Sequence, residues 1–151
     1  MNVLIIEDDS QKAERVLSVV QRTAPLAKVD ICRSYQSGLK FLEKETDIAL
    51  VILDVSLPTF DPEPKSRHGR PRPLGGYDIM RKMKRKKRTP AVVILTALEN
   101  FGSSTQQYSF DQLSQKCAEE FPENFKGAIY YSQSRSGWRD QLIDIIQAAN
   151  K

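Results

Sequence analysis

Short apolar runs recur along the chain, and stretches of mixed polarity separate them. Residues 3–6, 48–53 and 91–95 are apolar throughout. Such runs are typical of strands buried on both faces of a parallel sheet. Weaker runs at 28–32 and 125–131 predict two further strands.

The intervening stretches carry apolar residues at helical spacing, as in Ala13, Val16, Leu17 and Val20, which follow the capping residue Ser10. The pattern predicts five helices: about residues 11–23, a helix that begins after Ser34, residues 77–87, a helix from Ser103 or Ser104 to about residue 121, and residues 137–149.

Strands and helices therefore alternate five times, which indicates a parallel sheet covered by helices on both faces. The predicted fold class is α/β, a flavodoxin-like (βα)5 three-layer sandwich with sheet order 2-1-3-4-5. In such sheets ligands bind beyond the carboxyl ends of the strands, where strands 1 and 3 are neighbours.

One segment interrupts the alternation. Residues 58–76 contain five prolines and three glycines, which predicts a long loop without regular structure. We expect residues 1–151 to form a single domain that carries this basic, proline-rich insertion. Loops of this length in compact domains are usually functional or disordered.

Charge is distributed unevenly along the chain. The net charge is +4, yet residues 65–88 hold eleven Lys or Arg against the single acid Asp78. This block would suit an acidic protein surface, a nucleic acid or an anionic lipid surface. The alternative is a solvated helix face beside a flexible basic loop.

Composition excludes several other classes of protein. There is no apolar run of about 18 residues and no basic region before the first strand, so we expect no membrane span, no secretory signal and a cytoplasmic location. Cys32 and Cys117 are expected to be free thiols. His68, the single histidine, is expected to be an ordinary loop residue.

Acidic residues follow two of the predicted strands. Glu7, Asp8 and Asp9 come after strand 1, and Asp54 comes directly after strand 3. Because these strands are neighbours in the predicted order, the carboxylates should converge and repel one another unless a cation lies among them. Their hard oxygen ligands suit Mg²⁺, and a carboxylate beside such an ion can attack a phosphoryl group.

Four motifs in the same order resemble the receiver domain of two-component response regulators. They are the opening residues 3–9, the strand and turn at 51–58 that contain Asp54 and end in Leu57-Pro58, the glycines before helix 3 at 75–76, and the strand with its hydroxyl at 94–97. Residues 127–131 are similar to the fifth strand of that family. The resemblance covers nearly the whole chain.

The resemblance implies a Mg²⁺-dependent phosphoryl acceptor. Asp54 would accept the phosphoryl group, and Glu7 and Asp8 would bind the metal together with Asp54, with Asp8 the direct ligand of the pair. Asp9 would lie just outside that pair. At most, the chain would catalyse its own phosphorylation and dephosphorylation.

The resemblance also implies a switch and its partners. Thr96 would be the switch hydroxyl, and Tyr131 would be the switch aromatic on the face formed by helix 4, strand 5 and helix 5, where a downstream protein would bind. The phosphate would come from a histidine kinase or a phosphotransfer protein. Thr96 as an ordinary strand end and Tyr131 as half-buried packing are the alternatives.

The end of the fifth strand departs from the family pattern. Receiver domains carry a lysine there that bridges the phosphoryl group and the acidic pair, but Ser134 takes its place and Arg135 follows. Either Arg135 supplies the cation, or Mg²⁺ alone balances the charge and switching is weakened. The stretch 96–127 is also longer than usual.

Three functions remain open on this basis. The first is a phospho-aspartate signalling switch. The second is a phosphorylation-independent pseudo-receiver that acts as a protein-binding module, which the missing lysine favours and the acidic site opposes. The third is a basic nucleic-acid-binding protein that uses residues 65–88.

Overall fold

A central parallel sheet organises the structure, a computed structural model that describes residues 1–62, 71–103 and 105–150. In chain order the elements are β1 (Asn2–Ile6), α1 (Ser10–Thr23), β2 (Lys28–Cys32), α2 (Tyr35–Lys44), β3 (Ile48–Leu53), β4 (Leu57–Pro58), β5 (Pro71–Arg72), α3 (Gly75–Arg85), β6 (Ala91–Thr96), β7 (Asn100–Gly102), β8 (Gln107–Ser109), α4 (Phe110–Glu120), β9 (Phe125–Tyr130) and α5 (Gly137–Ala149).

The sheet has the order β2-β1-β3-β6-β9, and all neighbouring strands are parallel. Counting only these five strands, this is the predicted order 2-1-3-4-5, so the fold class is confirmed. The carboxyl ends of β1 and β3 lie side by side, because Ile6 pairs with Leu53.

Two buried clusters, one on each face of the sheet, form the core. One contains side chains of α2, α3 and α4, and the other contains side chains of α1 and α5. Successive residues of β1 alternate between the clusters, with Leu4 and Ile6 on one face and Val3 and Ile5 on the other. This alternation explains why the central strands are apolar throughout.

Side-chain caps fix where the first two helices begin. The Asp9 carboxylate accepts hydrogen bonds from the backbone N–H groups of Gln11 and Lys12, so α1 starts at Ser10 and Ser10 is not the cap, contrary to the prediction. α2 begins directly after Ser34, as expected, and Ser34 caps it through a reciprocal pair of hydrogen bonds with Ser37.

The segment 58–76 is more regular than predicted. β4 and β5 form a short antiparallel pair. α3 begins at Gly75, so the two glycines that suggested a loop lie in its first turn. A Cβ on Gly76 would lie 2.3 Å from the Asp54 carbonyl oxygen, so only glycine fits there. Residues 63–70, with His68 and most of the loop insertion's basic residues, lie outside the described residues.

The prediction of a helix starting at Ser103 or Ser104 is wrong. β7 and β8 form an antiparallel hairpin in that region, and α4 begins at Phe110 with Ser109 as its cap. Strands of three residues give too little alternation for a sequence pattern to reveal them. Phe101 anchors the hairpin in the core, and Ser104 lies outside the described residues.

The cysteines and the helices were also the subject of predictions from the sequence. Cys32 and Cys117 are both buried and carry free thiols. Within the described ranges, none of the helices combines the length and the apolar character needed to cross a bilayer.

Candidate functional site

Three carboxylates meet where β1 and β3 end. Glu7, Asp8 and Asp54 each place a carboxylate oxygen within 4.8 Å of the other two. The Asp54 N–H donates to the Ile6 carbonyl at 3.1 Å, which continues the β1–β3 pairing and holds the two chain segments together. The convergence expected from the strand order is therefore present in the structure.

The three carboxylates differ in burial. Glu7 is only 4% exposed, whereas the side chain of Asp54 retains 13% exposure. Burial, and then the neighbouring Asp54, raise the pKa of Glu7 to about 8. Burial also raises the pKa of Asp8. Ionising the whole cluster is thus costly, as expected for carboxylates crowded together away from water.

Hydrogen bonds hold parts of this cluster in place. The Val55 N–H donates to Asp54 Oδ1 at 2.7 Å, and the Asp9 N–H donates to Glu7 Oε2 at 3.1 Å. Asp9 directs its own carboxylate to the N-terminus of α1, so it serves as a helix cap beside the cluster. Asp54 Oδ2 faces a cation instead.

That cation is Lys12, which the sequence analysis did not single out. Its Nζ lies 2.5 Å from Glu7 Oε1 and 3.3 Å from Asp54 Oδ2. It also donates to the Leu95 carbonyl at 2.6 Å, and the residue is only 4% exposed. A sequence signal existed, because Lys12 lies on the same helix face as the buried Val16 and Val19.

The donor set fits a divalent cation. Three ionised carboxylates and one ammonium leave two formal negative charges, and hard oxygen ligands are those that Mg²⁺ or Ca²⁺ prefers. Glu7, Asp8 and Asp54 are the residues that could hold such an ion.

Thr96 lies at the end of β6, next to the site. It is fully buried, and its Oγ1 accepts a hydrogen bond from the Leu98 N–H at 3.3 Å. It follows Ile94 by two residues, and Ile94 pairs with Leu53 immediately before Asp54. The hydroxyl is therefore on the strand beside the acidic cluster.

Tyr131 directly follows β9 and is buried, not half-buried, so packing remains the alternative to a switching role. It belongs to the buried cluster on the α1 and α5 side of the sheet, whereas α4 packs on the other side. Its ring centroid lies 4.9 Å from that of Trp138, and Arg15 donates to its hydroxyl at 3.1 Å. Its N–H donates to the Thr96 carbonyl at 2.8 Å. A backbone hydrogen bond thus joins Thr96 and Tyr131, the two residues predicted to act in switching.

Ser134 and Arg135 are both exposed. The Ser134 hydroxyl lies 3.2 Å from that of Ser132, and Arg135 forms no ion pair within residues 1–62, 71–103 and 105–150. The structure therefore does not join Arg135 to the acidic cluster, and it places Lys12 there.

Comparisons with known proteins agree with this architecture. A scan against models of protein families finds no match. The Detocs response regulatory protein DtcB of Enterobacter cloacae is 24% identical over 147 residues, covering 97% of this chain and 98% of that protein. An uncharacterized protein of Sinorhizobium fredii, y4jR, is 25% identical over 143 residues and covers 94% of both chains.

Solved structures show the same fold at low sequence identity. The response regulatory domain of mrkE from Klebsiella pneumoniae matches with a TM-score of 0.65 at 15% identity, covering 99% of this chain and 95% of that chain. The CheX–CheY–BeF3–Mg²⁺ complex from Borrelia burgdorferi matches with a TM-score of 0.66 at 16% identity, covering 100% of this chain and 90% of that chain. The resemblance predicted from the sequence is confirmed at the level of the fold: the chain has the receiver-domain fold of response regulators.

Proposed function

We propose that the chain is a phospho-aspartate signalling switch of the receiver type, built from a single domain, in which Asp54 accepts a phosphoryl group. The observation that carries the proposal is the meeting of Glu7, Asp8 and a partly exposed Asp54 at the carboxyl edge of the sheet. The receiver fold and the relatives named as response regulatory proteins support the same signalling role.

Mg²⁺ is the metal that this role requires, and Glu7, Asp8 and Asp54 are the residues that would hold it. When bound, it supplies positive charge beside the oxygens of the phosphoryl group. The remaining work falls to the chain itself. The Val55 N–H fixes one oxygen of the Asp54 carboxylate, so the side chain is already oriented before the donor arrives.

The transfer forms one bond and breaks another. An Asp54 carboxylate oxygen attacks phosphorus, and the bond from phosphorus to the donor atom breaks with its electron pair. With a phosphohistidine of a histidine kinase or phosphotransfer protein, the leaving group is an imidazole, which takes up a proton from water. With acetyl phosphate, the leaving group is acetate. Hydrolysis of the acyl phosphate returns Asp54 to a carboxylate.

Thr96 and Tyr131 would carry the signal away from Asp54. The Thr96 hydroxyl would hydrogen-bond the new phosphoryl oxygens, and the backbone bond from Tyr131 to the Thr96 carbonyl links it to the aromatic residue. The face formed by α4, β9 and α5 would then bind a downstream protein. Phe110 of α4 and Tyr130 of β9 already meet edge to face on it, at 6.1 Å.

Intact-mass spectrometry tests the proposal. Wild-type protein incubated with acetyl phosphate and Mg²⁺ should gain one phosphoryl group, which hydroxylamine should remove because it is an acyl phosphate. Asp54→Asn should gain nothing. A gain that persists in Asp54→Asn, or one that resists hydroxylamine, would place the modification on another residue and overturn the assignment.

The pseudo-receiver remains the second candidate, and one observation favours it: Lys12 already contacts the Asp54 carboxylate, so a buried ion pair could be the whole purpose of the cluster. Mg²⁺ binding without any phosphoryl gain would favour this role. The nucleic-acid-binding role rests on the exposed basic face of α3, which includes Arg81, Lys84 and Arg85. Steeply salt-dependent binding to DNA or RNA would support it, and an acidic protein partner would also suit this face.

A further inference from the structure

We propose that Lys12 of α1 is the cation that binds the phosphoryl group on Asp54. The fold thereby supplies, from its first helix, a positive charge that the end of its last sheet strand does not provide. This inference rests on the proposed function of Asp54. It deepens that function by assigning a binding role to a residue that no sequence motif marks.

The contacts of the ammonium carry the argument. A lysine ammonium has three N–H donors, and Lys12 Nζ has three oxygen neighbours: Glu7 Oε1 at 2.5 Å, the Leu95 carbonyl at 2.6 Å and Asp54 Oδ2 at 3.3 Å. The first two contacts are short and anchor the group. The third is longer than a usual charge-assisted hydrogen bond, so this donor has room for a closer acceptor.

Burying the Lys12 ammonium costs desolvation free energy unless the charge is paired with negative groups. Lys12 is 4% exposed, and a buried ammonium loses its hydration. Lys12 lies on the buried side of α1, and the Tyr131 ring centroid lies 5.4 Å from its Nζ. The side chain is therefore held with its charge aimed at the edge of the sheet where Asp54 lies.

Phosphorylation increases the negative charge at that edge. Asp54 carries one negative charge as a carboxylate, and a phosphoryl group in its dianionic form raises this to two. The new oxygens also lie in a partly buried cleft where electrostatic interactions are stronger than in water. Lys12 already touches the acceptor carboxylate, so it is placed to meet the added charge without a large movement.

Two other cations that α1 and its surroundings contribute, Arg33 and Arg15, are engaged elsewhere. The Arg33 guanidinium donates to the Asp8 carbonyl and to the Ser10 hydroxyl, and Arg15 donates to Tyr131. Neither forms an ion pair with a carboxylate of the cluster within the described ranges. Lys12 is the described cation that contacts the acceptor itself.

The test compares ligands on matched variants. Lys12→Met keeps the unbranched apolar stem and removes the charge, Lys12→Arg keeps the charge, and Lys40→Met removes an exposed lysine from α2 as a control. Calorimetry measures the affinity for Mg²⁺ alone and then for beryllofluoride, a phosphoryl mimic, at saturating Mg²⁺. Circular dichroism and thermal melting establish that each variant is folded.

We expect Lys12→Met to bind beryllofluoride about tenfold more weakly or worse, because it loses a charge-assisted contact. Its affinity for Mg²⁺ alone should be unchanged or higher, because the carboxylates lose a competing cation. Lys12→Arg should retain part of the beryllofluoride affinity, and Lys40→Met should retain all of it. A purely structural lysine would instead lower both affinities together.

Several results would overturn the inference. Equal beryllofluoride affinity in Lys12→Met and wild type would remove the role while leaving the proposed function intact. A Lys12→Met variant that binds Mg²⁺ and beryllofluoride when wild type binds neither would show that Lys12 blocks the site. A wild type that binds Mg²⁺ but neither binds beryllofluoride nor gains a phosphoryl group would contradict the proposed function and this inference with it.

A measurement on the unaltered protein covers the case in which Lys12→Met does not fold. Nuclear magnetic resonance of ¹⁵N-labelled lysine side chains follows each Nζ directly. Beryllofluoride added to the Mg²⁺-saturated protein should shift the Lys12 Nζ signal and leave the exposed Lys40 signal in place. An unmoved Lys12 signal in protein that binds beryllofluoride would overturn the inference.

Discussion

Arg15 of α1 donates a hydrogen bond of 3.1 Å to the hydroxyl of Tyr131, the residue that follows β9. Lys12 lies three residues earlier on the same helix and therefore on the same face. One face of α1 thus contacts the acceptor carboxylate through Lys12 and the predicted switch aromatic through Arg15. The Tyr131 ring also packs against Trp138, so a change in the position of Tyr131 can be measured through that tryptophan.

Trp138 is the single tryptophan of the chain, so its fluorescence reports on Tyr131 without interference from other indoles. We expect beryllofluoride with Mg²⁺ to change Trp138 emission in wild type. Arg15→Gln should show part of this change without any ligand, because Tyr131 has lost the hydrogen bond that holds its hydroxyl. Arg22→Gln, on the exposed side of the same helix, is the control and should match wild type. Identical emission from Arg15→Gln and wild type would argue against a restraining role of Arg15.

Metal binding should depend on the carboxylates that meet at the sheet edge and not on the neighbouring Asp9. Asp8→Asn and Asp54→Asn should each lower the affinity for Mg²⁺ by about tenfold or more, since each loses a charged oxygen ligand. Asp9→Asn should bind as wild type does, because asparagine is an equally good helix cap and Asp9 points to the backbone of α1. Calorimetric titration with MgCl2 measures all three, and a loss in Asp9→Asn equal to that in Asp8→Asn would contradict the assignment of ligands.

The contact between Gly76 and the Asp54 backbone predicts a stability defect. The Cβ of Gly76→Ala would lie 2.3 Å from the Asp54 carbonyl oxygen and 3.0 Å from the Val55 Cα, and neither backbone atom can move without shifting the acceptor. We expect a loss of about 1–3 kcal/mol in the free energy of unfolding, measured by urea denaturation.

Gly137→Ala is the matched control for this substitution. Nothing lies within 4 Å of its added Cβ, and Gly137 is the first residue of α5. It should leave the free energy of unfolding unchanged or raise it by about 0.4–1 kcal/mol. If the two alanine variants were equally stable, the backbone at Asp54 would have moved to accommodate the Cβ of Gly76→Ala, contrary to the prediction.

The two thiols should react only when the protein opens. Burial is the main cause that raises the pKa of Cys32 to about 11, and likewise that of Cys117 to about 12. Because the thiolate is the reactive form, both should resist a disulfide reagent such as DTNB at pH 8, and their reactivity should rise only as the pH approaches those values. In urea both should react fully at pH 8. Rapid reaction of two thiols in the folded protein would contradict the burial.

The sequence was sufficient for the sheet order and for the convergence of Glu7, Asp8 and Asp54, because apolar strands and the order of βα units determine which strand ends are neighbours. It was insufficient for Lys12. A lysine in an amphipathic helix is usually solvated, so its position on the same helix face as Val16 was too weak a signal until the packing of α1 against the sheet was known. The hairpin before α4 was missed for another reason, since Phe101 enters the core from strands too short to show a period.

The entry of Lys12 from α1 places the acidic pair and its counter-charge within six consecutive residues, 7–12. Selection for charge balance would then act on this one stretch and on Asp54, and it would relax at residues 132–136. Relatives built in this way should keep a buried lysine one helical turn after the acidic pair while tolerating insertions and deletions beyond their final strand. A search profile that demands a lysine at that later position would discard them.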